Sequence, residues 1–181
     1  MRKLRTDELN RLSVPEYKDR AKTPVIVVLD NIRSQQNTGS VFRTADAFGL
    51  EAVWLCGITA TPPHREIHRA ALGATESVEW QYFETTGEAV RVLKSAGYQV
   101  IGIEQTDESI PLQDYSPTPG KKLALIFGNE VSGLDDTILP LLDGCIEIPQ
   151  FGTKHSFNVA VSAGIVIWDL TSKIKNGTPV T

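Results

Sequence analysis

The chain has 181 residues, 41% of them hydrophobic and 22% charged, with a formal net charge of −4. A chain of this length folds as one domain that buries roughly 70% of its unfolded surface. No apolar run approaches the ~20 residues of a membrane span. Two distant cysteines, Cys56 and Cys145, with no CxxC and no His/Cys cluster, exclude a disulfide scaffold and argue against zinc.

Residues 1–22 read as a basic arm, with seven Lys or Arg against four Asp or Glu. No apolar signal-peptide core follows Met1 to Arg5. Asp7 to Leu12 has a helical start that Pro15 is expected to interrupt. Six short apolar runs then read as strands: Val25–Leu29, Ala52–Leu55, Val78–Tyr82, Gln99–Ile103, Leu123–Phe127 and Cys145–Ile148. Several are apolar throughout, as parallel strands covered on both faces require. Helical patterns fall between and after them, at Thr38–Phe48, His64–Leu72, Gly87–Ser95, Leu134–Leu142 and Ser156–Lys173. Gly49, Gly97 and Gly177 follow helix-like segments, where a left-handed cap is often needed. This alternation predicts an α/β fold with a mainly parallel sheet between helices. The body of the domain is expected at 23–175 and a flexible tail at 176–181.

The charge is unevenly spread. The acidic excess concentrates in residues 76–114, which hold eight Asp or Glu against two Lys or Arg. A basic arm and an acidic flank on different faces are compatible with RNA binding despite the net charge. His64 and His68 lie four apart beside Arg65 and Arg69. Metal binding needs more ligands than this pair offers; a basic helical face on RNA phosphates, or plain solvation, remains. Trp54, Trp80 and Trp168 sit in apolar contexts and are expected in the core or at a dimer contact.

Three polar loop segments carry the functional signal. The first runs from Asn37 through Gly39 to Arg43-Thr44-Ala45. Asn37 or Thr38 can cap the helix that follows, and Gly39 permits a tight turn or a close backbone approach. The Arg43 guanidinium either covers apolar neighbours with its stem or aims at a phosphate or carboxylate. In the second, the strand through Leu125 and Phe127 ends in Gly128-Asn129-Glu130-Val131-Ser132-Gly133. It is no P-loop, because no Lys-Ser/Thr follows the glycines. The third begins at Ile148-Pro149-Gln150-Phe151-Gly152 and ends at Ser156-Phe157-Asn158, ahead of a long helix. Strand, loop and helix N-terminus in that order suit an anionic or polar ligand. Ser156 and Asn158 can equally be helix caps.

In this order and spacing the three segments resemble the SpoU (TrmH) family of RNA 2′-O-ribose methyltransferases, of the SPOUT superfamily. The likeness spans residues 24–173 and rests on Asn37, Gly39 and Arg43-Thr44-Ala45, on Gly128 to Leu134, and on Ile148, Pro149, Gly152, Ser156, Asn158 and Val159. It departs from the family at Ser34-Gln35, where Asp-Pro is common, at Gln150 for Met and at Phe157 for Leu. The resemblance implies a deep C-terminal trefoil knot and an obligate homodimer with its active site at the subunit interface. The two distant cysteines fit a reducing cytosol, so a cytoplasmic location is expected. It implies S-adenosylmethionine as methyl donor, a ribose 2′-hydroxyl of RNA as acceptor, and no metal. Carried over by motif, the catalytic set is Arg43, Asn37, Ser156, Glu130 and Asn158. The donor site is Leu125, Phe127, Gly128, Asn129, Glu130, Gly133, Ile148, Gln150, Phe157 and Asn158. The chain has no room for the separate RNA-binding domain of many rRNA-modifying relatives, which tilts the expected substrate toward tRNA. The alternatives are a non-catalytic RNA-binding or assembly protein on the same scaffold, and an unrelated nucleotide-binding enzyme. The missing GxGxxG after the first strand disfavours the latter.

Overall fold

A computed structural model describes residues 1–177. Seven parallel strands form one sheet in the order β3-β2-β1-β6-β4-β7-β5. The strands are β1 (Thr23–Asp30), β2 (Leu50–Cys56), β3 (Glu79–Phe83), β4 (Tyr98–Ile103), β5 (Ile110–Pro111), β6 (Lys122–Phe127) and β7 (Gly144–Glu147). The helices are α1 (Val14–Asp19), α2 (Gln35–Phe48), α3 (Arg65–Ala71), α4 (Ala74–Ser77), α5 (Thr86–Ser95) and α6 (Val159–Gly177).

Alternation along the central strands divides the core in two. Val25, Val27, Leu29, Leu123, Leu125 and Phe127 face Val41, Phe42 and Ala45 of α2 and Ala163, Val166, Ile167 and Leu170 of α6. Their neighbours Ile26, Val28, Ala124 and Ile126 face Ala89, Val90 and Leu93 of α5, with Leu134 and Ile138. Strands buried on both faces are therefore continuous apolar runs. Gly39 lets α2 approach α3 closely: a Cβ there would lie 2.5 Å from the Ile67 carbonyl oxygen. The glycine serves helix packing rather than a turn.

Several sequence expectations are corrected. The segment 134–142 forms no α-helix, only a 3₁₀ turn at Leu139–Leu141. Pro140 has no N–H to donate, and the chain closes successive three-residue turns, Ile138 to Asp135 and Leu141 to Ile138. Pro15 begins a helix instead of ending one, in the first turn of α1, where a missing N–H costs nothing. Gly49 and Gly97 take the left-handed conformation past α2 and α5, whereas Asn176 and Gly177 belong to α6. The rest of the tail, 178–181, lies outside the described residues. Trp54 stacks on Phe83 with centroids 4.7 Å apart, but Trp80 and Trp168 are exposed. Among the described residues no helix is long and apolar enough to cross a membrane.

The arm is folded onto the domain. Tyr17 enters the α2/α6 core, and the Lys22 ammonium lies 4.2 Å from its ring centre. Lys22 also donates to the carbonyls of Tyr17 and Arg20.

Candidate active site

Sheet topology marks the place. From β1 the chain moves outward to β2 and β3, while β6 and β4 lead to the other edge. Ligands of open parallel sheets bind at the carboxyl ends of strands where the order diverges in this way. The loops after β1 and β6 leave the sheet there, side by side.

These loops are tied together at defined atoms. The Asn129 side chain donates to the Asn31 carbonyl at 2.7 Å and accepts from the Val131 N–H at 2.9 Å. Asn129 and Gly133 exchange two backbone hydrogen bonds, both 2.9 Å. Gly133 has φ +69°, and a Cβ on it would meet the Glu104 carboxylate at 2.2 Å. That carboxylate instead accepts from the Leu134 N–H at 3.0 Å. Gly128 is equally confined, because a Cβ would lie 2.3 Å from the Gly133 backbone.

Glu130 and two asparagines join the three polar segments. The Glu130 carboxylate accepts from the Arg33 N–H at 3.1 Å, the Ser34 N–H at 3.2 Å and the Asn37 amide at 3.2 Å. The Asn37 side-chain oxygen accepts from Asn158 at 3.1 Å. Asn158 caps α6, its oxygen accepting from the Ala160 N–H at 2.9 Å and the Val161 N–H at 3.3 Å. Burial acts to raise the Glu130 pKa. Hydrogen bonds from the backbone of Arg33, of Glu130 itself and of Ser34, and from the Asn37 side chain, outweigh it and hold the pKa below the ordinary carboxylate value.

Ser34, not Asn37 or Thr38, caps α2, accepting from the Asn37 N–H at 3.2 Å. Asn37 therefore sits in the first helical turn with its side chain free to bridge Glu130 and Asn158. The departure from the family's Asp-Pro at 34–35 keeps a capping oxygen at the first of the two positions.

A cavity of about 450 Å³ opens beside this junction, within the range of small-molecule sites. Of the expected donor-site residues, Phe127, Gly128, Asn129, Glu130, Gly133, Ile148, Gln150 and Phe157 line it, as does Ser156. Asn158 does not line it, although its chain neighbours Phe157 and Val159 do; its side chain is turned to Asn37, which is also outside the lining. Leu125 does not line the cavity. It is fully buried in β6, paired with Val27 and Ile101, because residue 125 falls on the covered sheet face. Arg43 does not line it either. Six residues beyond Asn37 on α2, Arg43 is exposed and borders a different cleft.

Sequence reasoning missed the cavity's acidity. Glu104, Asp136 and Glu147 join Glu130 in the lining, with no Lys or Arg. Glu104 and Glu147 lie at or just past the carboxyl ends of β4 and β7, the position that marks ligand residues in such sheets. The α6 N-terminus is not an anion site, since Asn158 already occupies its N–H groups. The lining suits a polar or cationic ligand. Among the described residues, no three His, Cys, Asp or Glu side chains gather where they could hold a metal ion. His64 caps α3 through its ring nitrogen.

Residues 24–168 match the SpoU rRNA Methylase family. The chain is 32% identical over 161 residues to the 23S rRNA (guanosine-2′-O-)-methyltransferase RlmB of Neisseria meningitidis, covering 89% of this chain and 60% of that protein. It is 28% identical to the tRNA (guanosine(18)-2′-O)-methyltransferase of Borreliella burgdorferi, over 83% of this chain and 67% of the relative. The AdoMet-bound rRNA methyltransferase of Sinorhizobium meliloti superposes with a TM-score of 0.76 at 28% identity, over 84% of this chain and 58% of that one. The A. aeolicus TrmH/SpoU tRNA modifying enzyme shares the fold, with a TM-score of 0.77 at 24% identity over 89% and 80% of the two chains. The chain thus spans 60% of the rRNA-modifying relative it matches. By its sequence, its parallel sheet and its three joined loops, this chain belongs to the SpoU methylase family.

Proposed function

We propose that the protein is an S-adenosylmethionine-dependent methyltransferase acting on a ribose 2′-hydroxyl of structured RNA. The observation that carries the reading is the junction of Glu130, Asn37 and Asn158, which gathers three family segments beside one acidic cavity. The cavity fits the donor by chemistry. S-adenosylmethionine supplies a methyl group on a sulfonium and carries a second cation, its ammonium. Four carboxylates without an opposing Lys or Arg favour such a ligand and disfavour a free phosphate. The loop 128–133 would hold its polar groups, and Phe127, Ile148 and Phe157 its apolar faces.

Methyl transfer needs donor and acceptor held in line, which is worth on the order of 7–11 kcal/mol of the barrier. Fixing the three loops to one another supplies that rigidity on the donor side. Asn37 and Ser156 would orient the acceptor hydroxyl. Arg43 is the residue assigned to clamp the adjoining phosphate and stabilise charge on the attacking oxygen. A guanidinium is always protonated, so it serves as clamp rather than base.

Arg43 is not part of its own subunit's cavity lining and borders another cleft, so the reading includes a homodimer in which it serves the partner. Supporting this, α6 turns Val161 and Trp168 outward while its opposite face fills the core. A C-terminal trefoil knot belongs to the same reading. It rests on β7 entering between β4 and β5, after which α6 returns to pack on α2. Residues 23–175 would form the catalytic body, with 1–22 as an accessory arm. A tRNA substrate is the preferred form of this reading, in line with the tRNA-modifying relative of Borreliella burgdorferi.

The test is to incubate the protein with radiolabelled S-adenosylmethionine and, separately, bulk tRNA and ribosomal RNA. Label in alkali-resistant dinucleotides is expected, since 2′-O-methylation blocks cleavage at that bond. Donor binding without label in either RNA would overturn the reading in favour of an RNA-binding protein on the same scaffold.

A further inference from the structure

A cleft larger than the acidic cavity lies away from it, between the arm, the C-terminal half of α2, the α3–α4 junction and the end of α6. Its volume is about 910 Å³, at the top of the range for ligand sites. The lining reverses the protein's overall sign. Arg11, Arg20, Lys22, Arg43 and Lys175 border it, against Asp46 and Glu76, in a chain whose formal net charge is −4.

Internal structure does not consume this charge. Lys22 is committed to backbone carbonyls of the arm, and Asp46 accepts from the Ser77 hydroxyl at 2.5 Å. The side chains of Arg11, Arg20, Arg43 and Lys175 are exposed and make no hydrogen bond or ion pair among the described residues. Tyr17 packs beneath the same cleft with its hydroxyl enclosed, so its ring forms part of the floor and the cations form the accessible surface.

We infer that this cleft holds the ribose-phosphate strand of the substrate RNA. Arg11 and Arg20 of the arm and Lys175 of α6 grip phosphates flanking the nucleotide that Arg43 serves. The inference rests on the methyltransferase reading and deepens it: the arm is part of the substrate site rather than a solvated leader. Each guanidinium offers the planar fork that fits a phosphodiester. Together they explain how a protein of net negative charge engages a polyanion, since RNA affinity depends on local and not total charge.

Fluorescence anisotropy across a salt series tests this, with end-labelled bulk tRNA in one arm and ribosomal RNA fragments in the other. Calorimetry of S-adenosylmethionine binding and sedimentation of each variant accompany it. The double variant Arg11→Ala/Arg20→Ala is expected to bind RNA about ten-fold more weakly at low salt. Its log–log salt slope becomes shallower by about 1.4–1.8, the release expected for two phosphate contacts. Its donor affinity stays at the wild-type value. Lys175→Ala, at an exposed helix end, repeats the slope change at half size. Wild-type affinity and slope in the double variant overturn the cleft assignment while leaving donor binding and methyl transfer, and so the wider reading, intact. Loss of the dimer with undiminished RNA affinity per subunit also overturns it, by assigning the cleft to a second copy. Absence of both RNA binding and methyl transfer in the wild-type protein removes the two readings together. The RNA fraction showing the steeper slope identifies the source of the strand.

Discussion

The acidic cavity and the basic cleft sit at opposite ends of α2 and are built on opposite principles. The cavity is closed by hydrogen bonds among loops: Asn129 to Asn31, Glu130 to Arg33, Ser34 and Asn37, and Asn158 to Asn37. The cleft is bordered by long cationic side chains, of which only Lys22 is bonded among the described residues. One region is rigid before any ligand arrives, and its charge suits a small cation. The other keeps its side chains free to adapt, and its charge suits a polyanion. A donor that must be held in one pose and an RNA strand that varies along its length call for this division.

The comparison breaks most visibly at Arg43. Arg43→Ala is expected to lower turnover by about 10²–10³-fold, the usual cost of losing one preorganised charge stabiliser. Calorimetry should find donor affinity within two-fold of wild type. A parallel loss of donor binding would make the two regions one site. Gly128→Ala comes next. Its Cβ would overlap the Gly133 backbone, so the loop must shift. Thermal denaturation should register a loss of about 1–3 kcal/mol, typical of overpacking, with donor affinity falling more than RNA affinity. A smaller effect is expected from Glu104→Gln, which should weaken S-adenosylmethionine about three- to ten-fold but S-adenosylhomocysteine less, since the product lacks the sulfonium charge. Equal losses for the two would deny the cavity its electrostatic preference.

The smallest effect is that of pH on the junction. The folded-state pKa of Glu130 is lowered, so its contribution to stability is complete above the ordinary carboxylate pKa of about 4.3. It disappears as pH falls through the lower folded value. Acid unfolding of Glu130→Gln should show a shallower pH dependence in that window only. Identical profiles for variant and wild type would remove the carboxylate from the ties that hold the loops.

Most of the scaffold was legible in the sequence, because strands covered on both faces advertise themselves as unbroken apolar runs. All six expected strands are present, within a residue or two at each end. The two-residue β5 was invisible: Ile110-Pro111 is too short for any period. The helix expected at 134–142 failed because apolar spacing was read without weighting Pro140. At the site, motif order located Asn37, Glu130 and Asn158, but not their division of labour. Ser34 takes the cap, which releases Asn37, and that exchange depends on where α2 begins. Leu125 came in with its strand because a motif match does not say which sheet face a residue occupies. Glu104 and Glu147 were overlooked because they acquire meaning only when β4, β6 and β7 are laid side by side. The sequence placed Arg43 near Asn37 in chain position; six helical residues put it in another cleft.

One amide carries an unexpected constraint. Asn37 gives a proton to a carboxylate on one side and receives one from an amide on the other, so the bridge has a direction. A carboxylic acid in its place would match the shape and still fail near neutrality, where it has no hydrogen to offer Glu130 and repels it instead. Asn37→Asp would turn a permanent clasp into one that fastens only in acid, and loss of the amide nitrogen by deamidation at this position would undo the clasp near neutrality.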